Sequence, residues 1–206
     1  MIRTRLVSDQ LKAVRGELDA LNSMREEAIV STRRWLSICR ASILRARKME
    51  NLDCVEEELR ILIGEVKAFL QKCQSSAGYI DPTIESIVSD AVQEAVEGIV
   101  LARLLRKEPV PYREDLSVGP KEYVLGIADA IGELRRVALQ FLLNGKTSEA
   151  EQLVTIMEEM YENLNSMVFP DSFLPVRRKA DLARSLIEKT LSEILMMKAP
   201  MRRGKE

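Results

Sequence analysis

A chain of 206 residues, 46% of them hydrophobic, is long enough to bury a sizeable core, and at 4% aromatics that core is built from Leu, Ile, Val, Ala and Met. Histidine is absent, which excludes Ser-His and Cys-His catalysis, zinc fingers and the Glu-x-x-His di-iron bundle. The formal net charge of −1 conceals a split: residues 1–49 carry eleven Lys/Arg against five Asp/Glu, and residues 50–100 three against eleven, so one end suits polyanions and the middle suits cations.

The 31% of charged residues, with few Gly and Pro, is the composition of packed helices, and the expected fold class is all-α. Cys39, Cys54 and Cys73 make an odd count without CxxC spacing, and no charged-then-apolar leader opens the chain, so a reduced, cytoplasmic protein is expected. No apolar run approaches the ~18 residues that would span a bilayer, and no membrane partner is expected.

In chain order, the spacing predicts a first helix over 5–49 with a kink near Asn22-Ser23. A second runs from Asp53, read as an N-cap with Glu56 completing a capping box, to Cys73 before Ser75-Ser76-Ala77-Gly78. Asp81-Pro82 opens a third, which continues to Lys107 and ends before Pro109 and Pro111. Residues 109–119 read as a loop, Pro120 opens a fourth helix to Asn144, and Gly145 closes it. Thr147 to Met167 and Pro175 to Lys198 are the last two, and residues 1–4 and 199–206 read as frayed tails of one domain covering 1–206. In the final helix Leu182, Leu186, Ile187, Leu191, Ile194 and Leu195 recur at helical spacing and are assigned to the core, with subunit contact as the alternative.

Chemistry concentrates on two of these helices. At about 3.6 residues per turn, Asp129 and Glu133 share one face of the helix opened by Pro120, with Glu122 and Arg136 on the same face. Gly126 and Gly132 flank them, poor helix formers that let another backbone come close. On the preceding helix Glu94 and Glu97 are neighbours three residues apart, with Asp90 one turn earlier, inside an apolar run from Ala91 to Ala102. A carboxylate in such a run must be paired, hydrogen-bonded, neutralised or bound to a metal.

Antiparallel packing of these two helices across a short loop is expected to bring Glu94 and Glu97 opposite Asp129 and Glu133. Four converging carboxylates repel one another unless a cation sits among them, and hard oxygen ligands favour Mg²⁺ or Mn²⁺. Such an ion suits phosphodiester chemistry. The plain structural alternative is that Glu94 pairs with Arg103 or Arg136.

The strings QEAVE at Gln93–Glu97 and EYVLGIADAIGELRR at Glu122–Arg136 resemble the translin family, and within it the catalytic branch, translin-associated factor X. REEAIVSTRRWLSICR at Arg25–Arg40 resembles the family more weakly, and helix order agrees over about residues 20–195. The resemblance implies a bundle of about seven helices, assembly of like chains into a hollow octamer, and Mg²⁺-dependent endoribonuclease activity in which Glu94, Glu97, Asp129 and Glu133 match the acidic residues one by one. Translin itself lacks the first pair and the Asp of the second.

Arg33, Arg40 and Arg47 stand seven apart on the first helix, thickened by Arg34, Arg45 and Lys48, a stripe able to track phosphates. The alternative is a solvated face pairing with the acidic second helix. Trp35 is expected in the core rather than stacked on a base. The function expected is cleavage of single-stranded RNA, with Glu94, Glu97 and Asp129 as metal ligands and Glu133 completing the cluster or orienting water. Arg33, Arg34, Arg40 and Arg47 are the expected RNA contacts, with single-stranded DNA as the alternative strand. The rivals are a non-catalytic nucleic-acid-binding scaffold and an all-α nucleotide pyrophosphohydrolase.

Overall fold

Apolar residues recurring at three- and four-residue steps, with each proline among the described residues confined to a loop or the first turn of a helix, leave the chain no alternative to helices. The computed structural model describes the backbone of residues 2–198 and the side chains of residues 7–198. Within it run α1 (Ile2–Arg47), α2 (Leu52–Ala77), α3 (Pro82–Leu105), α4 (Arg113–Leu116), α5 (Pro120–Leu143), α6 (Thr147–Asn165) and α7 (Val176–Lys198). None of these helices is long and apolar enough to cross a membrane.

Several boundaries differ from the sequence reading, each for a local reason. Residues 2–4, expected as tail, already belong to α1, whereas the expected tail at 199–206 lies outside the described residues. α1 runs through Asn22-Ser23 as one helix, the Ser23 hydroxyl donating to the Asp19 carbonyl of the preceding turn instead of capping a new helix. Asp53 is not the cap of α2: that position is Asn51, in the left-handed region at φ 46°, and Asp53 pairs with Arg106. Glu56, expected in a capping box, is buried beneath α3. At α3 the expected cap is present, Asp81 Oδ1 accepting from the Thr83 amide at 2.8 Å. The expected loop at 109–119 contains the one-turn helix α4.

Contacts between helices fix their directions. Arg34 with Glu65 and Lys72 with Glu27 make α1 and α2 antiparallel. Cys39 with Ala91, Arg40 with Glu94 and Ile43 beside Gly98 make α1 and α3 parallel. Ser89 with Glu122 and Gln93 with Asp129 make α3 and α5 parallel as well. This corrects the expected antiparallel packing: the segment after α3 runs back along α2, where Arg60 reaches the Asp115 carbonyl, and so delivers α5 to the start of α3 rather than its end. Lys198 with Glu151 sets α7 antiparallel to α6, and Lys179 with Asp129 and Arg135 with Glu193 set it parallel to α5.

One cluster of buried apolar side chains runs through the bundle from Ala28 to Ile194. Trp35 is part of it, edge-on to Phe69 at 6.0 Å, its indole N–H donating to Glu65 at 2.9 Å. In α7 the expected core stripe divides: Ile187 and Ile194 are buried, whereas Leu182, Leu191 and Leu195 face outward. The first half of α1 stands clear of the core, with Val7, Leu11, Val14 and Leu18 all exposed. Cys39, Cys54 and Cys73 are free thiols, Cys54 exposed and the other two buried.

Candidate acidic site

Gly126 sets the distance between the two acid-bearing helices. A Cβ there would lie 2.7 Å from the Gln93 carbonyl and 2.8 Å from Val96 Cβ, so glycine is what lets α5 lie directly on α3. Gly132 has no such role, since a Cβ on it would meet only Leu186 Cδ1 at 4.0 Å. With the helices parallel and this close, one turn of α3 carrying Glu94 and Glu97 faces the stretch of α5 carrying Asp129 and Glu133.

Each acid has a distinct environment. Asp129 is held by two groups: Lys179 of α7 at 2.5 Å on Oδ1, and Gln93 Nε2 donating to Oδ2 at 2.6 Å. Glu133, only 8% exposed, forms ion pairs with Arg47 of α1 and, at 3.6 Å, with Arg136. Glu94 faces Arg40 at 3.8 Å, and its Oε2 is buried with no hydrogen-bond partner among the described residues. Glu97 has neither ion pair nor hydrogen bond among them. Burial, reinforced by the negative charges of Asp129, Glu133 and Glu94, pushes its carboxyl up to about 8 against a smaller opposing pull from Lys179. Burial also raises Glu94, with Arg40 opposing and Asp90 and Asp129 adding to the rise. From the α1 side the Cys39 thiol is driven up to about 12, by burial first and then by Glu94 and Glu97. Four carboxyl groups, three of them facing basic side chains, are thus gathered where α1, α3, α5 and α7 meet.

The acids named from sequence therefore lie within electrostatic reach of one another, on two adjoining helices. The pairing alternative took the wrong partners: Glu94 faces Arg40, Arg136 pairs with Glu133, and Arg103 is engaged with Glu56. Two contributors carried no sequence signal. Lys179 is one of many basic residues on α7, and only the α5–α7 packing brings it to Asp129; Gln93 lay inside the quoted motif but was given no role.

The donor set fits a hard divalent cation in chemistry: all oxygen, with an orphaned buried oxygen on Glu94 and an unpaired Glu97. It does not yet have the geometry of one, because no three acidic or thiol side chains among the described residues converge on a single ion position. Asp129, Glu133 and Glu94 each face a basic side chain instead.

The expected arginine stripe is divided in the same way. Arg33 is exposed, Arg34 is exposed and pairs with Glu65 at 2.5 Å, and Arg40 is 70% exposed along its side chain. Arg47 leaves the stripe and reaches inward to Glu133. The alternative of pairing with the second helix is met at Arg34 and again at Arg45, which pairs with Glu58.

These features define a class: an all-α bundle with parallel helices bringing two acid pairs within electrostatic reach of each other, flanked by an exposed basic helix. Residues 18–190 match the model of the translin family, and the chain belongs to that family. The chain is 29% identical over 188 residues to MJ0175, an uncharacterized protein of Methanocaldococcus jannaschii, an alignment covering 91% of this chain and 82% of the relative. Among solved structures it resembles AfC3PO in a complex with duplex RNA, with TM-score 0.78, 31% identity, and coverage of 92% of this chain and 96% of that one. It also resembles the crystal structure of AfC3PO, with TM-score 0.76, 31% identity, and coverage of 92% and 97%. Membership in this family gives the pyrophosphohydrolase reading no support.

Proposed function

We propose that this chain is a Mg²⁺-dependent endoribonuclease of the translin-associated factor X type, with Mn²⁺ able to substitute, cleaving single-stranded RNA or single-stranded regions inside an oligomeric shell. The observation that carries the proposal is Glu97, a carboxyl on α3 with three other acids within electrostatic reach and no ion pair or hydrogen bond of its own among the described residues. A structural glutamate would be matched by a cation; this one is placed beside other anions, where a divalent ion would relieve the repulsion. The similarity to AfC3PO, whose structure was solved with duplex RNA, supports the choice of RNA as ligand.

Glu94, Glu97 and Asp129 would supply the metal's oxygen ligands. When bound, such an ion polarises a phosphoryl oxygen and lowers the pKa of coordinated water. Gln93 and Lys179 orient the Asp129 carboxylate by gripping one oxygen each. Glu133, ion-paired with Arg47 and Arg136, would orient the attacking water. Arg33, Arg34 and Arg40 on the solvent side of α1 would bind phosphates of RNA or of single-stranded DNA. The exposed Val7, Leu11, Val14 and Leu18 follow a 4-3-4 spacing, the seam of a helix made to pair with another, which supports a homo-oligomer; an octamer acting in the cytoplasm is the form proposed from the family resemblance.

The second reading, a nucleic-acid-binding scaffold without catalysis, is favoured by the pairing of three of the four acids with basic side chains. One experiment separates the two. Labelled single-stranded and duplex RNA are incubated with Mg²⁺ and then with chelator, using the wild type and the variants Glu94→Ala and Asp129→Ala. The nuclease reading expects chelator-sensitive cleavage of the single strand, lowered about a hundredfold or more in each variant with the helical fold intact. Binding without cleavage in the wild type leaves the scaffold.

A further inference from the structure

The turn between α6 and α7 holds two of the chain's four phenylalanines outside the core. Phe169 is 45% and Phe173 52% exposed, and they lie against each other with centroids 5.8 Å apart at 47°. Their position beside the acidic site is fixed by α5. Lys121, in its first turn, holds its ammonium 4.4 Å from the centre of the Phe173 ring, and Asp129, eight residues further on, is gripped by Lys179 of α7. Because α5 and α7 run parallel, the turn that carries the rings meets α5 at Lys121, about 12 Å along the helix from Asp129. Arg177 and Arg178, exposed in the first turn of α7, stand between Phe173 and Lys179 in sequence, Arg178 tied to Asp171 at 2.8 Å.

We propose that Phe169 and Phe173 form a base-stacking platform that receives single-stranded RNA and leads it, past Lys121, to the acidic site. This rests on the RNA-cleavage reading above and adds to it the path of the strand. Unpaired bases stack on exposed aromatic rings irrespective of sequence, and neighbouring cations take the phosphates that follow. A cation held over one ring, with an open ring beside it, offers both parts of a nucleotide a contact. A protein partner is the poorer fit for the same apolar surface, since Lys is depleted from the centres of protein interfaces and here a Lys sits on the aromatic pair itself. The platform also supplies a reason for single-strand preference, because duplex bases are already stacked on one another.

The test is equilibrium binding of a labelled single-stranded oligoribonucleotide, followed by fluorescence anisotropy in chelator so that nothing is cleaved. Replacing both rings, Phe169→Ala with Phe173→Ala, weakens single-strand binding by roughly tenfold or more, affects duplex RNA much less, and leaves the helical signal unchanged. The pair Phe169→Trp with Phe173→Trp restores binding, and oligonucleotide quenches the new surface fluorescence. Lys121→Met gives a smaller loss and lowers the salt slope by about one. Wild-type protein that neither binds nor cleaves single strands overturns the RNA reading and the platform together. Wild-type protein that binds and cleaves, with the double-alanine variant binding equally well, overturns the platform alone. A double-alanine variant that sediments as a smaller species while binding RNA normally assigns the patch to subunit contact and overturns the platform.

Discussion

Glu56 and Glu97 are both glutamates drawn out of water, and the bundle treats them in opposite ways. At Glu56 the arginines of α2 and α3 close in: Arg60 and Arg103 donate to Oε1 at 2.8 Å each, and Arg106 binds the other oxygen. Burial by itself would raise this carboxyl, and those hydrogen bonds reverse the effect and hold it at about 2. At Glu97 the neighbours are acids, and the carboxyl rises to about 8. The first arrangement is complete within the chain and ties α2 to the end of α3. The second is stable only if Glu97 keeps its proton or gains a cation. A buried acid therefore marks a site when its surroundings share its sign, and a structural joint when they oppose it.

The largest effect comes from breaking the complete arrangement. Glu56→Ala leaves Arg103 and Arg106 largely buried with only the more exposed Glu108 and Asp53 to pair with, and is expected to destabilise the fold by about 3 kcal/mol, measured by urea unfolding. Glu97→Gln is expected to act in the opposite direction, stabilising the metal-free protein by about 1–3 kcal/mol at pH 8 once partial exposure is allowed for. If both substitutions destabilise alike, Glu97 is an ordinary structural residue and the contrast fails.

Titration sharpens the contrast through its sign. The folded-state value of Glu56 lies below the ordinary 4.5, so its stabilisation is present above about pH 4.5 and is lost as pH falls through about 2. The folded-state value of Glu97 lies above the ordinary 4.5, so the folded state binds more protons than the unfolded between these limits, and stability declines as pH rises from about 4.5 to about 8. Unfolding free energies across that range should show the decline in metal-free wild type and its loss in Glu97→Gln. Added Mg²⁺ or Mn²⁺ should raise the midpoint of thermal unfolding in the wild type by a few degrees and do so far less in Glu97→Gln.

How much of this was legible beforehand depended on whether the signal was local. Helix caps and breaks at Asp81-Pro82, Pro120 and Gly145 were readable because each acts on its own turn of backbone. The strings at Gln93–Glu97 and Glu122–Arg136 carried the family resemblance, which the match over residues 18–190 bears out, and helical spacing within them singled out the four acids. Direction was not readable, because whether α5 runs with or against α3 is decided by the path of residues 106–119 along α2, and that path rests on contacts such as Arg60 with Asp115. Partners chosen by tertiary packing were equally hidden. Nothing in the spacing separates Arg47, which reaches Glu133, from Arg40 one heptad earlier, which stays at the surface.

The smallest effects concern the two glycines beside the acids, which the sequence alone treated as equivalent. Gly126→Ala places a methyl group 2.7 Å from a backbone carbonyl and 2.8 Å from a Cβ, neither the end of a flexible chain, so α5 must move off α3. The expected cost is about 1–3 kcal/mol, with weakened metal binding because Asp129 and Glu133 retreat from Glu94 and Glu97. Gly132→Ala meets nothing closer than 4.0 Å and should stabilise the helix by up to about 1 kcal/mol with metal affinity unchanged. Measuring unfolding and Mn²⁺ affinity for both variants separates close helix approach from helix propensity. Equal losses at the two positions would mean that the glycines serve flexibility of α5 and not the spacing that brings acid against acid.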